Sequence, residues 1–269
     1  MGGYLSHDLK AVYTIWYRDV LRFLRDRSRI FGSLAQPLLF LFALGFGLGG
    51  ALGKIGGTAG IPGVPYIQFL YPGILSMTVL FTALFSAISI VWDREFGFLR
   101  EVLVAPVSRT AVALGKVAGG STVAMIQAAI IMVIGPLLGV HYDLGRVVLM
   151  LLTLLLLAAV ITSLGILIAA RQKTMEGFQV IMQFILMPML FLSGAFFPFS
   201  SSSGAAAALK VIGQINPMSY GVDALRQLAL GSKLPPALTL HSAGADALIL
   251  FGFFVLFLVP GVLLFSKQD

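Results

Sequence analysis

The chain has 269 residues, of which 58% are hydrophobic and only 11% are charged, and its mean hydropathy is +0.98. So few charged side chains cannot cover a water-facing surface of this size, which excludes an ordinary soluble domain and predicts that most of the surface faces lipid. The net charge of +7 then indicates basic loops that set orientation in a membrane rather than a nucleic-acid partner, and the lack of cysteine excludes disulfides and thiolate chemistry.

Residues 1–30 are predicted to form an amphipathic helix at the membrane surface. Apolar and aromatic residues recur at three- and four-residue steps along one face: Leu9, Val12, Tyr13, Trp16, Tyr17, Val20, Leu21 and Leu24. Arginines follow the same period on the opposite face: Arg18, Arg22, Arg25 and Arg29. This pattern is typical of a helix lying in the headgroup layer. It leaves open whether the helix is only an anchor or also a docking surface for a cytosolic partner.

Charge-free apolar intervals predict six membrane-spanning helices, since about twenty apolar residues cross a bilayer as a helix. We place these spans at residues 31–52, 67–92, 111–139, 146–170, 177–197 and 247–266. Together with the segments 1–30, 93–108 and 198–246 they form a single all-α transmembrane domain over residues 1–269.

The basic residues of the loops predict the orientation. Thirteen of the 18 Lys and Arg residues lie in the N-terminal segment, the loops after the second and fourth spans, and the C-terminal tail. Because basic loops are retained in the cytoplasm, both termini are expected there. The long loop between the fifth and sixth spans is then external.

The segment between the second and third spans combines charge with a helical apolar pattern. Phe96, Leu99, Val102 and Leu103 share one face, and Pro106 should end the helix. Charged residues surround that face: Arg94, Glu95, Arg100 and Glu101. Periodicity alone leaves two interpretations open, a generic helix at the membrane surface and a docking element for a partner.

The external loop is predicted to hold short helices that dip into the outer leaflet. Asn216 and Pro217 form a strong helix start, with Asn as the N-cap and Pro at the first helical position. Gly231 should end that helix. Asp223 and Arg226 stand three residues apart, so an ion pair between them is expected.

No motif for catalysis, cofactor binding or metal binding is found in the sequence. Gly45-Phe-Gly-Leu-Gly-Gly50 matches a dinucleotide-binding pattern by letter, but no strand precedes it, so we interpret its glycines as helix-packing positions. There is no phosphate-binding loop, and the three histidines lie far apart. The span cores lack ionisable residues, which disfavours an ion-coupled carrier. A membrane-embedded lipid-modifying enzyme is the other alternative, and the missing catalytic residues disfavour it.

Two stretches resemble the ABC-2-type exporter permeases, also called type V exporters, which include the drug- and antibiotic-resistance and nodulation-type export permeases. The first reads Asp93-Arg-Glu-Phe-Gly-Phe-Leu-Arg-Glu101, then Ala105-Pro-Val-Ser-Arg109 and Gly115-Lys116. It is similar to the family's coupling-helix region. The second reads Leu192-Ser-Gly-Ala-Phe-Phe-Pro198, then Asn216-Pro-Met-Ser-Tyr220 and Arg226. It is similar to the family's C-terminal signature.

The resemblance implies a permease dimer, formed with itself or with a paralogue, that docks two copies of an ATP-binding-cassette ATPase. ATP and Mg²⁺ would bind that partner and not this chain. The expected setting is the inner membrane of a bacterium. The cargo would be a hydrophobic drug, an antibiotic, a lipid or a lipid-linked glycan. The residues expected to couple to the ATPase are Arg94, Glu95, Phe96, Gly97, Leu99, Arg100, Glu101, Pro106 and Arg109. The external signature residues are Asn216, Pro217, Tyr220, Asp223 and Arg226.

The resemblance also implies a translocation path at the dimer interface, lined by the second and fifth spans. Hydroxyl side chains form a helical stripe on the second span: Thr78, Thr82, Ser86 and Ser89. Gln179, Gln183 and Met187 form a similar stripe on the fifth. Hydrogen bonding between packed helices explains both stripes equally well. The second span lacks a prominent aromatic ladder, which favours drug-like or lipidic cargo over polysaccharide.

Overall fold

A computed structural model describes residues 2–50, 64–95, 108–172, 174–198 and 211–266. These residues are helical with short connections and contain no strand, which confirms the all-α prediction. The helices are α1 (Gly2–Arg25), α2 (Arg27–Phe42), α3 (Tyr66–Ser86), α4 (Ile88–Glu95), α5 (Arg109–Met132), α6 (Leu144–Ala169), α7 (Met175–Phe191), α8 (Pro217–Leu230) and α9 (Ala243–Ser266). A π-helix, Ala43–Leu48, continues α2, and short 3₁₀ turns follow α5 and α8.

Within the described ranges, five apolar helical stretches are long enough to cross a membrane: Ile30–Leu48, Tyr66–Trp92, Arg109–Met132, Leu144–Ala169 and Ala243–Phe265. The fifth predicted span corresponds to α7, which is apolar but has only 17 residues. The sequence placed its end at residue 197, whereas α7 stops at Phe191. The helix ends there because Ser193 donates back to the Leu190 carbonyl and Gly194 adopts a left-handed φ of 75°.

Short polar side chains start several of these helices. Ser108, Asp143, Thr174 and Asn216 each accept a hydrogen bond from a backbone N–H in the first turn of the helix that follows. The cap at Asn216, with Pro217 in the first turn, agrees with the helix start expected from the sequence. Local chemistry therefore determines where these elements begin.

The core of the bundle is α3, which is buried along most of its length and contacts α5, α6 and α8. The last span, α9, packs on α6 and α8, while α1 lies along the first half of α5. Gly115 permits that close approach, because a Cβ at this position would meet Ile15 at 2.9 Å. In contrast, α7 lies at the edge, with few contacts to α3 and α4.

Candidate functional site

The two segments of the external signature, far apart in sequence, are in contact. The Arg226 Nη2 atom donates to the Gly194 carbonyl at 2.8 Å, and the Asn216 Nδ2 atom donates to the Met189 carbonyl at 2.7 Å. The turn after α7 is also tied to α3, since the Tyr66 hydroxyl donates to the Phe196 carbonyl at 3.0 Å. The signature is therefore one structural unit that joins α3, the end of α7 and α8.

Arg226 is the centre of this unit and is only 3% exposed. Its guanidinium carbon lies 3.9 Å from the centroid of the Phe69 ring, a cation–π contact. Burial lowers the pKa of Arg226 to about 10, and the negative charge of Asp223 opposes that shift. The side chain therefore stays charged at neutral pH and binds a backbone carbonyl and an aromatic face.

The ion pair expected between Asp223 and Arg226 does not form. Asp223 Oδ2 instead accepts from the backbone N–H groups of Leu240 at 2.7 Å and His241 at 3.3 Å, and from Gln227 Nε2 at 3.1 Å. Helical spacing permitted the pair, but a turn that approaches from beyond the helix supplies two directed donors. Asp223 thus anchors the segment that leads into α9.

Two buried ionisable residues lie near the starts of membrane-spanning helices, outside the span cores. Asp246 is fully buried in the first turn of α9, where its Oδ2 atom lies 3.3 Å from Gln227 Nε2. Lys116 is buried in α5. Neither was predicted to be buried, because each lies near the start of its helix and its burial depends on neighbouring helices that are distant in sequence. His241 Nδ1 lies 3.6 Å from Asp246 Oδ1.

Most of the predicted coupling segment lies outside the described residues. Phe96, Gly97, Leu99, Arg100, Glu101 and Pro106 belong to residues 96–107, while Arg94 and Glu95 close α4 and Arg109 opens α5. The two ends of this segment are bonded to other helices. Glu95 Oε2 accepts from the Met175 N–H at 3.0 Å, and Asp8 Oδ1 accepts from the Ser108 N–H at 3.0 Å. The Ser108 N–H holds the pKa of Asp8 below its usual range.

The N-terminal helix packs on α5 through only part of its predicted apolar face. Trp16 Nε1 donates to Thr122 Oγ1 at 3.0 Å, and Ile15 and Asp19 lie against α5. Four residues of the predicted apolar face are instead exposed: Leu9, Tyr13, Tyr17 and Leu24. Arg18, Arg22 and Arg25 are exposed, and Arg29 belongs to α2. The helix therefore has a protein-facing side, an aromatic side and a basic side.

An ionic contact links this helix to the bundle. Lys116 Nζ lies 3.6 Å from Asp19 Oδ2 and donates to Ser89 Oγ at 2.9 Å. Neither Asp19 nor Lys116 was singled out as a site residue. The sequence signal that could have found Asp19 is its position one turn after Trp16, between two arginines of a basic helix.

The hydroxyl stripe of the second span faces α5. Thr82 donates to the side chain of Gln127, which in turn donates to Ser33 on α2. Ser89 accepts from Lys116, and Thr78 donates to the Ile74 carbonyl of its own helix at 2.9 Å. Ser86 also bonds within its helix, to the Ala83 carbonyl. Within one chain these hydroxyls serve helix packing, and lining of a path stays a prediction.

The stripe on the fifth span has the opposite environment. Gln179, Gln183 and Met187 are exposed on α7, next to Val180 and Phe184, and Phe184 is 78% exposed. The two stripes do not face each other in one chain. Exposed amides on an apolar helix are costly in lipid, because hydrocarbon offers them no hydrogen-bond partner.

Comparison with known proteins gives one consistent result. Residues 10–230 match the family described as ABC-2 type transporter. Nodulation protein J of Rhizobium meliloti (strain 1021) is 29% identical over 223 residues, which cover 82% of this chain and 81% of that protein. The putative transport permease ycf38 of Cyanophora paradoxa is 29% identical over 222 residues, 82% of this chain and 74% of its own. The inner membrane transport permease YadH of Escherichia coli (strain K12) is 28% identical over 231 residues, which cover 85% of this chain and 86% of that protein.

Proposed function

Since the chain belongs to the ABC-2 type transporter family, we propose that it is the transmembrane permease subunit of an ATP-binding-cassette exporter. Two copies of a separate ATPase subunit hydrolyse ATP, and this chain carries the path for the cargo. The cargo is a hydrophobic drug, an antibiotic, a lipid or a lipid-linked glycan that leaves the cytoplasm. The relatives named as transport permeases support the class of function.

The observation that carries the proposal is the pair of bonds at the ends of residues 96–107. Glu95 connects one end to the first turn of α7, and Asp8 connects the other end to α1. Force applied to that segment by a docked ATPase would reach both helices directly. Because α7 has few contacts with the rest of the bundle, it is the helix that can respond with the least repacking.

The exposed face of α7 supports assembly around a second copy of the chain or a paralogue. Gln179 and Gln183 would leave lipid if this face met a partner or a water-filled path. The inner membrane of a bacterium is the proposed location, by analogy with YadH, and both termini face the cytoplasm on the basis of the basic loops.

Accessibility labelling tests the orientation. Cysteines introduced one at a time should react with a membrane-impermeant reagent from outside at Thr58, Asp143 and Ser202, and should be protected at Ser6, Ser108 and Thr174. The native chain has no cysteine, so background labelling is absent. External labelling at Ser108 would refute both the orientation and the coupling role of the neighbouring segment.

Charge reversal in the coupling segment tests the function. In the complex with its ATPase, Arg100→Glu and Glu101→Arg should leave basal ATP hydrolysis intact while transport and cargo-stimulated hydrolysis fall together. Each charge-assisted hydrogen bond lost at a desolvated contact costs about 1.5–3 kcal/mol, which is enough to disengage the segment. Arg171→Glu and Glu176→Arg are matched controls on the same side of the membrane, and transport should stay normal in both. Wild-type transport in both coupling variants and in their double variant would contradict the assignment.

Buried Asp246 keeps an ion-coupled carrier as the second candidate, since a buried carboxyl near a membrane face is a common proton site. The two candidates differ in energy source. Transport by reconstituted vesicles should require an ATPase that copurifies at equal stoichiometry, and should persist when the proton gradient is dissipated. Transport that needs the gradient and no ATPase would favour the carrier.

A further inference from the structure

A cavity of about 390 Å³ lies where α1, the α3–α4 junction and α5 meet. It is separate from the Arg226 unit and from the hydroxyl–amide network around Gln127. Its walls come from three segments that are distant in sequence, so it exists only in the folded chain. The end of the bundle that holds it is the one that carries the N-terminal helix and the flanks of residues 96–107.

One wall of the cavity is basic. Lys116 lies at its floor with a side chain 8% exposed, between Ser89 Oγ at 2.9 Å and Asp19 Oδ2 at 3.6 Å. Arg18 lies at the rim, 60% exposed, with Nη2 at 3.4 Å from Asp19 Oδ1. Arg22, one helical turn further along α1, also lines the cavity and forms no ion pair with a side chain that the structure describes. Among the described residues, three cations and the carboxylate of Asp19 therefore line this wall.

The side of the cavity formed by the α3–α4 junction carries aromatic side chains next to Ser86 and Ser89. Phe85 and Trp92 line the cavity from the α3–α4 junction, and both side chains are partly exposed, Phe85 by 42% and Trp92 by 51%. A soluble inorganic anion would use only the basic wall. A molecule with an anionic head and an apolar tail would use both, because its tail could lie along the aromatic surface toward the membrane interior.

We propose that this cavity binds the phosphate headgroup of an anionic amphipath, with the phosphate between Arg18, Arg22 and Lys116 and the apolar chain along Phe85 and Trp92. Phosphate oxygens accept charge-assisted hydrogen bonds from guanidinium and ammonium groups, and they offset the repulsion between two arginines one turn apart. The inference rests on the proposed function only for the side of the membrane, the cytoplasmic leaflet. Basic clusters on that side bind anionic lipids.

Native mass spectrometry of the purified full chain in detergent, titrated with phosphatidylglycerol or phosphatidylcholine, tests the site. Detergent removes the surface potential of a bilayer, so binding reports contacts in the cavity. We expect saturable binding that prefers phosphatidylglycerol, and Arg22→Gln should weaken it about tenfold. Arg25→Gln is the matched control, because Arg25 lies on the same helix but does not line the cavity. It should change binding by no more than about twofold.

The outcomes separate the site from general electrostatics and identify the source of the phosphate. Equal losses in Arg22→Gln and Arg25→Gln, or no preference for phosphatidylglycerol, would overturn the proposal. Displacement of the lipid by inorganic phosphate would support the phosphate site and assign it to soluble anions. If inorganic phosphate does not displace the lipid, and Phe85→Ala weakens the binding of long-chain lipid more than that of short-chain lipid, the site is assigned to lipid. The assay contains no ATPase, so its failure leaves the exporter proposal standing, and the failure of the exporter proposal leaves the binding result unchanged.

Discussion

Two pairs of charged residues, one at each end of the bundle, are held in opposite ways. At the end that carries α8, Arg226 is buried and bonded to a carbonyl and an aromatic ring, and Asp223 accepts three hydrogen bonds. At the end that carries the N-terminal helix, Glu95 is exposed and Asp8 is half-buried, and each accepts one bond from a helix start. Arg226 and Asp223 are therefore inaccessible to water, whereas Asp8 and Glu95 keep contact with it.

We call Arg226 and Asp223 with their hydrogen bonds the brace, and Asp8 and Glu95 with theirs the tethers. The brace is held in place by burial, whereas the tethers can break and form again. A buried charge that loses its partner keeps the full cost of desolvation, so the α8 end resists rearrangement. An exposed carboxylate that releases an N–H is solvated at once, so breaking it costs little. A permease driven from the N-terminal end needs contacts there that can be remade in each cycle. The predictions below test this contrast from the largest expected effect to the smallest.

Removal of the brace should have the largest effect. Arg226→Leu leaves the Gly194 carbonyl without its donor and Asp223 without a neighbouring cation, so stability should fall by about 3 kcal/mol or more. Thermal unfolding of the purified protein in detergent measures the loss. Lys233→Leu, an exposed cation just beyond α8, is the control and should change stability by no more than about 0.5 kcal/mol. Equal melting temperatures for the two variants would show that the brace contributes nothing.

A second test probes how rigidly the brace holds the turn after α7. A Cβ on Gly73 would collide with the backbone carbonyl of Ala195, and that backbone cannot retreat while Gly194 is bonded to Arg226. Gly73→Ala should therefore cost about 1–3 kcal/mol. Gly32→Ala on α2, where no atom lies within 4 Å of the added Cβ, should be neutral or stabilising. A neutral Gly73→Ala would mean that the turn moves freely.

Substitution of Asn216 should lower stability by an intermediate amount, to which two hydrogen bonds contribute. Its side chain caps α8 through the Met218 N–H and also donates to the Met189 carbonyl. Asn216→Ala removes both bonds and should cost about 2 kcal/mol, whereas Asn216→Ser keeps a cap and should cost about 1 kcal/mol. Unfolding curves of the two variants give the difference. Copurification of the ATPase should be unaffected in both, because the site is at the opposite end of the bundle.

The tethers should show the smallest effect on stability and a larger effect on coupling. Glu95→Ala removes the acceptor of the Met175 N–H, and its cost should stay below about 1 kcal/mol because the carboxylate is exposed. Hydrogen exchange at the start of α7 should increase, and the ratio of transport to ATP hydrolysis should fall. Glu176→Ala removes an acid in the first turn of α7 that has no bond to the described flanks of the coupling segment, so its coupling ratio should be normal. The same coupling ratio in the two variants would contradict the tether.

Much of the framework was predictable because its signals are local. Long apolar intervals indicated the spans, and Asn216 with Pro217 indicated the start of α8. The end of α7 was less predictable, since a left-handed Gly194 within an apolar run leaves no hydropathy signal. The burial of Lys116 and Asp246 was missed because it depends on distant partners: Ser89 and Asp19 offset the cost of burying Lys116, and Gln227 lies beside Asp246.

The sequence by itself determined the class of the protein, the positions of most helices and the resemblance to exporter permeases, because hydropathy, capping and motif spacing depend on residues close together in the chain. Only the tertiary structure decided which partners the polar residues take. Asp223 bonds to the turn before α9 instead of Arg226, and Thr82 bonds to Gln127. Asp19 contacts Lys116 in the cavity that Arg22 also lines. A side chain binds whichever group lies within about 3 Å with suitable geometry. That group is set by the packing of helices that are distant in sequence.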